Sequence, residues 1–206
     1  MSKSVEFFFD YGSPATYLAY KRLPDIARAH GAEVKYRPFL LGGLLKAVGN
    51  SAPTDLPAKR EWMWQDLARI AKRYDIPFKV NSAFPVNTLV LMRAATAVEP
   101  TGRLLEFSDA IFGALWEKDR NLGDLHVLRE VVTGAGFDFE QIAADSQKAD
   151  VKDRLRVSTE EAADRGAFGA PTFFVAGEMH FGQDRLEYVQ LALAGAAKQN
   201  VSQGAV

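Results

Sequence analysis

A short apolar run, followed at once by Ser13, Pro14 and a helical pattern, constrains this chain more than any other feature. Residues 5–10 have the composition of a buried strand. Serine followed by proline is favoured at a helix start, because serine accepts a hydrogen bond from a free backbone N–H and proline has no N–H to leave free. The apolar pattern then continues to residue 29, and Gly31 follows. The sequence therefore predicts a strand, a tight turn and a helix capped by Ser13.

Ser13 has two interpretations at this position. The N-terminal end of a helix carries a partial positive charge and free N–H groups, so it suits an anion such as a thiolate. A Ser-Pro pair at a helix start is, however, more often only a cap. Local sequence leaves both interpretations open.

The first third of the chain predicts a parallel strand pair. Residues 34–39 have the pattern of a second strand. A strand, a helix and another strand form a βαβ unit, whose crossover implies parallel pairing. Periodic segments between residues 44 and 165 are of the helical type, and we expect four or five helices and no strands there.

Strand patterns return near the end of the chain, at residues 172–175 and 179–181, and a last helix is expected from Asp184. The expected fold class is therefore α/β. We predict one domain formed by residues 1–40 together with 166–206, and an all-helical insertion domain at residues 41–165.

Composition excludes several classes of protein. The chain has 206 residues, 48% hydrophobic and 25% charged, which is typical of a globular protein with a sizeable core. Its formal net charge of -1 is spread along the sequence, so no basic face for nucleic acid or a membrane surface is expected. The N-terminus resembles neither a secretory signal nor a membrane span, and a cytoplasmic protein is the expectation.

The absence of cysteine from the sequence limits the chemistry further. Without cysteine the protein forms no disulfide of its own and offers no thiolate to a metal. The three histidines, His30, His126 and His180, are far apart in the sequence and lack a metal-ligand spacing. We predict no metal site.

Pro171 lies in the segment Gly169-Ala170-Pro171-Thr172, directly before an apolar strand. A proline there often belongs to a tight, sometimes cis, turn, which would direct the backbone of Ala170 toward a ligand. The simple start of an edge strand is about as compatible with the local sequence.

Together these features resemble the thioredoxin-like fold of the DsbA type. In that type the helix start carries Cys-Pro-x-Cys, and here the same frame is Ser13-Pro14-Ala15-Thr16. Replacement of both sulfurs by hydroxyls marks the branch that contains kappa-class glutathione transferases and 2-hydroxychromene-2-carboxylate isomerases. The resemblance covers nearly the whole chain and includes residues 37–44, 49–50, 56–59, 74–77, 166–172 and 181–186.

The resemblance implies a glutathione site with Ser13 as its catalytic residue. The Ser13 hydroxyl would donate a hydrogen bond to the glutathione thiolate, the nucleophilic form. Asn50 and Lys59 match positions that bind the tripeptide backbone and its glycyl carboxylate. Taken alone, Gly-Asn is more often a turn and an isolated lysine a solvated charge.

The same resemblance assigns residues to the rest of glutathione. The backbone of Ala170, next to Pro171, would pair with the cysteinyl part. Gln183 and Asp184 would bind the γ-glutamyl end, with Asp184 facing the ammonium and the γ-glutamyl carboxylate over a helix N-terminus. Asp184 with Glu187 also fits a capping box. Arg185 is assigned to the glutathione site too, although it equally fits a surface position on a helix.

The function that the resemblance implies is a glutathione-dependent isomerisation of 2-hydroxychromene-2-carboxylate to trans-o-hydroxybenzylidenepyruvate. Glutathione would supply a thiolate that adds reversibly to a conjugated carbon, so that the former double bond can rotate. One alternative is a kappa-like glutathione transferase, and a second is a non-catalytic glutathione-binding protein. The expected partners are glutathione, a small aromatic substrate and, as is typical of the family, a second copy in a homodimer.

Four aromatic residues of the helical insertion are candidates for the wall of an apolar substrate pocket. At helical spacing such residues are more often part of a core. Trp62 and Trp64 cannot share one helix face, so at least one of them is expected at a cleft or a surface. The candidates are Trp62, Trp64, Phe84 and Trp116.

Overall fold

The computed structural model describes residues 3–202, with side chains described from residue 3 to residue 195. Its sheet has four strands in the order β2-β1-β3-β4. Strands β1 and β2 are parallel, whereas β3 is antiparallel to both β1 and β4. The bounds are β1 Ser4–Phe9, β2 Glu33–Pro38, β3 Thr172–Val175 and β4 Glu178–Phe181. The strands thus lie within one residue of their predicted positions, and the α/β class is confirmed.

Nine α-helices occur in the described part of the chain, seven of them between β2 and β3. The expectation of four or five helices for residues 44–165 was too low, because that segment includes short helices, such as the seven-residue helix Phe139–Asp145, that a periodic pattern does not separate. No strand occurs there within the described residues. The helices are α1 Pro14–Ala29, α2 Leu41–Ala47, α3 Pro57–Arg73, α4 Leu89–Val98, α5 Leu104–Trp116, α6 Leu125–Gly134, α7 Phe139–Asp145, α8 Ala149–Asp164 and α9 Leu186–Ser202.

Strand β1 is covered on both faces. Side chains alternate along a strand, so Val5, Phe7 and Phe9 enter one apolar cluster, which includes residues of α1 and α9. Phe8 enters a second cluster together with residues of α2 and α8. Residue 10 lies two positions after Phe8, so its side chain is expected on the same face of the sheet as Phe8. The polar side chain that follows β1 is therefore directed toward the α2 and α8 side of the sheet.

The helices between β2 and β3 share the core of the sheet. Leu91 of α4 and Phe112 of α5 belong to the same buried cluster as Phe7 and Leu18. The Phe112 ring centroid lies 6.3 Å from that of Phe9. The proposed division at residues 40/41 and 165/166 remains a prediction about folding units, which this packing does not itself test.

The aromatic candidates have different environments. Trp116 is 1% exposed and donates a hydrogen bond from Nε1 to the carbonyl oxygen of Tyr11 at 2.8 Å, so it is a core residue. Trp64 is half-buried, with its ring centroid 5.0 Å from that of Phe84. Trp62 is 61% exposed. The two tryptophans of α3 thus lie on different faces, as their spacing predicted.

An ionic cluster covers the sheet face that carries Phe8. Glu6 of β1 accepts hydrogen bonds from Arg165 at 2.7 Å and from Arg37 at 2.9 Å. Glu161 of α8 contacts the same two guanidinium groups. The Arg165 guanidinium also lies 3.7 Å from the centroid of the Phe174 ring. The hydrogen bond from Arg165 lowers the pKa of Glu6, and burial opposes part of this effect.

The lowered pKa of Glu6 predicts an acid-sensitive contribution to stability. A carboxyl group whose pKa is lower in the folded state stabilises the fold above its unfolded pKa, and this contribution is lost as the pH falls through the folded pKa. Glu6→Gln should therefore lower the free energy of unfolding at pH 7 by about 1 kcal/mol. It should also flatten the decline of stability below the ordinary pKa of 4.5. Urea unfolding at a series of pH values measures both effects.

The control is Glu33→Gln, which changes an exposed glutamate of β2. Its stability should follow the wild-type dependence on pH. If Glu6→Gln retained the full wild-type decline in acid, Glu6 would not be the group responsible.

Candidate active site

Ser13 joins the start of α1 to the loop before β3. Its hydroxyl oxygen accepts a hydrogen bond from the Thr16 backbone N–H at 3.2 Å, and the hydroxyl donates to the carbonyl oxygen of Ala170, also at 3.2 Å. The residue is 6% exposed. The prediction that Ser13 caps α1 is thus confirmed. Ser13 also contacts the backbone of Ala170, which was predicted to bind the ligand. The first turn of α1 contains no acidic residue that would repel an anion.

The loop before β3 packs closely against β4. The Ala170–Pro171 peptide bond is cis, one of the two geometries that the sequence left open. The Pro171 carbonyl oxygen accepts a hydrogen bond from the Gly182 N–H at 2.9 Å. A Cβ atom at Gly169 would lie only 2.6 Å from Cε2 of Phe181, so any side chain there would displace the Phe181 ring.

Asn50 reaches the same loop from the segment after α2. Its side-chain Nδ2 donates to the carbonyl oxygen of Phe168 at 2.8 Å, and its Oδ1 accepts from the Ser51 N–H at 2.8 Å. Gly49 before it has a φ of 67°, so the turn interpretation holds as well. Lys59 is exposed in the first turn of α3, and within the described residues it forms no ion pair.

Gln183 and Asp184 follow β4 directly, but their environments differ. Gln183 is 6% exposed, and its Oε1 and its carbonyl oxygen accept hydrogen bonds from Nη1 of Arg22 at 3.1 and 3.2 Å. Asp184 is exposed and pairs with Arg185 at 2.6 Å. The structure therefore links Gln183 to Pro171 through Gly182, and leaves the Asp184 and Arg185 side chains at the surface.

The expected helix start at Asp184 is wrong in detail. Residues Gln183–Arg185 form a turn of 3-10 helix, and α9 begins only at Leu186. A capping box requires its first residue at the N-cap, whereas Asp184 lies within the 3-10 turn. The Asp184 carboxylate instead lies against Gly182, so that a Cβ atom on residue 182 would collide with it. Gly182 also has a φ of +99°, which favours glycine.

Sequence reasoning missed a buried carboxylate beneath the Ser13 turn. Asp10 is completely buried and accepts three hydrogen bonds. Its Oδ1 accepts from the Gly12 N–H at 2.8 Å. Its Oδ2 accepts from the Leu41 N–H at 2.8 Å and from the Thr88 hydroxyl at 3.1 Å. One carboxylate thus connects the turn before α1 to the starts of α2 and α4.

Electrostatics and packing both constrain this carboxylate. Burial raises the pKa of Asp10, and the hydrogen bonds from Gly12, Leu41 and Thr88 counteract part of that rise. A Cβ at Gly12 would lie 2.9 Å from Cγ2 of Thr88, so the turn also needs glycine here. The sequence did contain an indication of this burial, because Asp10 lies two residues after Phe8 and side chains two apart in a strand point to the same face.

Thr16 occupies the second hydroxyl position of the Ser-Pro-x-Thr frame. It is fully buried, and its Oγ1 has no hydrogen-bond partner among the described residues. The hydroxyl of Ser13, by contrast, has two partners.

The arrangement is suited to an anion with an extended peptide attached. The start of α1 favours a negative charge at Ser13, and the loop from Phe168 to Pro171 connects this point to Asn50 on one side and to Gln183 on the other. In the part of the chain that the structure describes, no cluster of three or more His, Cys, Asp or Glu residues is arranged to hold a metal ion. None of the described helices is both long and apolar enough to cross a membrane.

The three donors around Asp10 predict that even its closest substitution is disruptive. In Asp10→Asn an amide NH₂ group must face the N–H of either Gly12 or Leu41, which leaves a buried donor unpaired. The free energy of unfolding should fall by about 1–3 kcal/mol. Asp138→Asn is the matched control, because Asp138 is an exposed N-cap and asparagine caps as well as aspartate. Urea unfolding of both variants measures the difference, and equal, small effects would contradict this role for Asp10.

Comparison with known proteins gives one consistent result for the family. The DSBA-like thioredoxin domain family matches residues 4–194. A 2-hydroxychromene-2-carboxylate isomerase of Pseudomonas sp. (strain C18) is 33% identical over 93% of this chain and 91% of its own length. Glutathione S-transferase kappa 1 of Rattus norvegicus is 29% identical over 92% of this chain and 90% of its own length.

A solved structure of a 2-hydroxychromene-2-carboxylate isomerase aligns with a TM-score of 0.86 and 26% identity, over 97% of this chain and 98% of that one. A probable DsbA oxidoreductase of Streptomyces coelicolor aligns with a TM-score of 0.76 at 23% identity, over 95% of this chain and 90% of that one, and supports the fold alone. The chain belongs to the DsbA-like thioredoxin family and, within it, to the group of the 2-hydroxychromene-2-carboxylate isomerases.

Proposed function

We propose that this protein is a glutathione-dependent isomerase that converts 2-hydroxychromene-2-carboxylate to trans-o-hydroxybenzylidenepyruvate. The observation that carries the proposal is the position of Ser13 at the positively polarised start of α1, with its hydroxyl directed at the Ala170 carbonyl oxygen. Thiol chemistry at this point requires a sulfur from outside, because the chain has no cysteine. The relatives named as isomerases supply the reaction class.

The residues around Ser13 fit a bound thiolate. When bound, glutathione supplies the nucleophilic sulfur. The Ser13 hydroxyl donates a hydrogen bond to that sulfur instead of to the Ala170 carbonyl oxygen. The Ser13 oxygen still accepts its hydrogen bond from the Thr16 N–H. The dipole of α1 adds to the stabilisation of the negative charge. The backbone of Ala170 then pairs with the cysteinyl part of the tripeptide.

The γ-glutamyl end fits the residues after β4. The Asp184 carboxylate suits an ammonium group, and its exposed pair with Arg185 contributes little to stability, so an ammonium competes for it effectively. Arg22, which sequence reasoning did not name, adds a cation behind Gln183. Its guanidinium is held 3.7 Å from the centroid of the Tyr74 ring.

The glycyl end fits the opposite side of the loop before β3. Asn50 is anchored to Phe168 there. Lys59, exposed at the start of α3, provides the cation for the glycyl carboxylate. A cytoplasmic location and a homodimer belong to the same proposal and rest on the resemblance.

A glutathione transferase is the second candidate, favoured by the matches to proteins named as kappa-class transferases. The two activities differ in their products. An isomerase returns free glutathione and the trans acid, whereas a transferase releases a glutathione conjugate. Product analysis by chromatography distinguishes them.

The test is the rate of isomerisation of the chromene acid with and without glutathione, for the wild type, Ser13→Ala and Ser13→Gly. The wild type should require glutathione. Loss of a hydrogen bond to a charged group costs about 1.5–3 kcal/mol, so kcat should fall roughly ten- to a hundredfold in both variants. Glycine replaces serine at an N-cap with little cost, whereas alanine costs about 1 kcal/mol. Ser13→Gly should therefore lose activity with a smaller loss of stability than Ser13→Ala.

The control for a purely structural effect is Asp138→Ala, which removes the cap of α7. It should lose stability as Ser13→Ala does and retain wild-type kcat. Full activity of Ser13→Gly, or isomerisation by the wild type without glutathione, would contradict the proposal.

A further inference from the structure

A large cavity lies between α2, α4 and α8. Its volume is about 570 Å³, within the range of small-molecule sites. Leu40, Leu89 and Leu155 supply apolar walls. Neither Ser13 nor any residue assigned to glutathione lines this cavity. It is therefore separate from the site described above.

The cavity exists partly because residue 43 is glycine. A Cβ built on Gly43 lies 3.5 Å from Cδ2 of Leu40 and 3.5 Å from Cγ2 of Thr159, which is ordinary van der Waals contact. A methyl group therefore fits, and a longer side chain would extend into the open volume. The neighbouring Gly42 faces no atom within 4 Å. The two glycines of α2 thus differ in their relation to the cavity.

Two of the cations that line the cavity have no ion-pair partner among the described residues. Arg93 of α4 and Lys152 of α8 are half-buried, line the cavity and form no ion pair or side-chain hydrogen bond with the described residues. Arg156, which also lines it, is paired with Asp153 and Glu160. Partial burial of an unpaired charge is unfavourable. The cavity thus combines apolar walls with a preference for an anion.

Two acidic residues also line the cavity, Glu160, which is paired with Arg156, and Asp164. Asp164 ends α8, whereas Lys152 lies near its start. At 1.5 Å per residue the helix separates the two by about 18 Å. An anionic head group near Lys152 is therefore far from Asp164.

We propose that this cavity is an accessory binding site for an aromatic monocarboxylate, with the ring against Leu40, Leu89 and Leu155 and the carboxylate at Arg93 and Lys152. The inference depends on the proposed function only for the choice of acid, because the substrate and product of that function belong to this chemical class. The cavity lies next to the residues that bond to Asp10 and so hold the turn before Ser13. Leu40 and Leu89 are the chain neighbours of Leu41 and Thr88, which hold Asp10.

The probe for this site is coumarin-3-carboxylate, a bicyclic aromatic acid, titrated calorimetrically into the full chain with saturating S-methylglutathione, which has no thiol to add to the probe. The wild type should bind one equivalent at this cavity, beyond any that binds beside Ser13. Gly43→Leu should weaken binding at least tenfold by filling the cavity. Gly42→Leu, the same change one residue away, should leave it unchanged. Thermal unfolding of both variants verifies that they are folded.

A second pair of variants tests the charge. Arg93→Gln and Lys152→Gln should each weaken binding of the acid about tenfold and leave binding of uncharged coumarin unchanged. Lys72→Gln, at the exposed end of α3, is the control and should have no effect. Equal loss of both probes in the Arg93 and Lys152 variants would contradict recognition of the carboxylate.

Several outcomes overturn the inference. The wild type failing to bind at millimolar probe, or Gly43→Leu binding as tightly as Gly42→Leu, excludes this cavity as the site. Dissociation of an oligomer by Gly43→Leu alone would show that a second copy covers the cavity. Isomerase activity is measured separately. Activity without binding of the probe overturns this inference alone, and binding without activity overturns only the proposed function.

Discussion

The buried carboxylate of Asp10 is the interaction on which the candidate site depends. It lies at the end of β1 and is held by the Gly12 N–H, the Leu41 N–H and the Thr88 hydroxyl. These donors come from three separate parts of the chain. Because burial of a carboxylate is unfavourable unless it is hydrogen-bonded, these three donors hold the turn before α1, the start of α2 and the start of α4 in one arrangement. The position of Ser13 follows from that arrangement.

Much of the fold follows from local patterns. The apolar run of β1 and the Ser-Pro pair at the start of α1 predicted those elements closely, because strand burial and helix capping act within a few residues. The helices between β2 and β3 were harder to count. Periodicity identifies a helical region well, whereas short helices such as α2 and α7 end through local breaks that a periodic pattern passes over.

The candidate site was predictable only where one segment carries the signal. Ser13 and the Ala170–Pro171 pair were identified from their neighbours, and the structure brings them into contact. Arg22 and Thr88 were missed, because their relations to Gln183 and Asp10 arise from the tertiary fold. Asp184 illustrates the reverse case, since a local capping pattern predicted a helix start where the chain forms a 3-10 turn.

We propose that this fold, without a cysteine of its own, stabilises the thiolate of glutathione at Ser13. The most direct measurement is the ultraviolet absorbance of the thiolate in the glutathione complex as a function of pH. The bound thiol should have a lower pKa than free glutathione, and this difference should shrink in Ser13→Ala. A bound thiol that titrates like free glutathione, or one whose pKa is the same in the wild type and in Ser13→Ala, would contradict it.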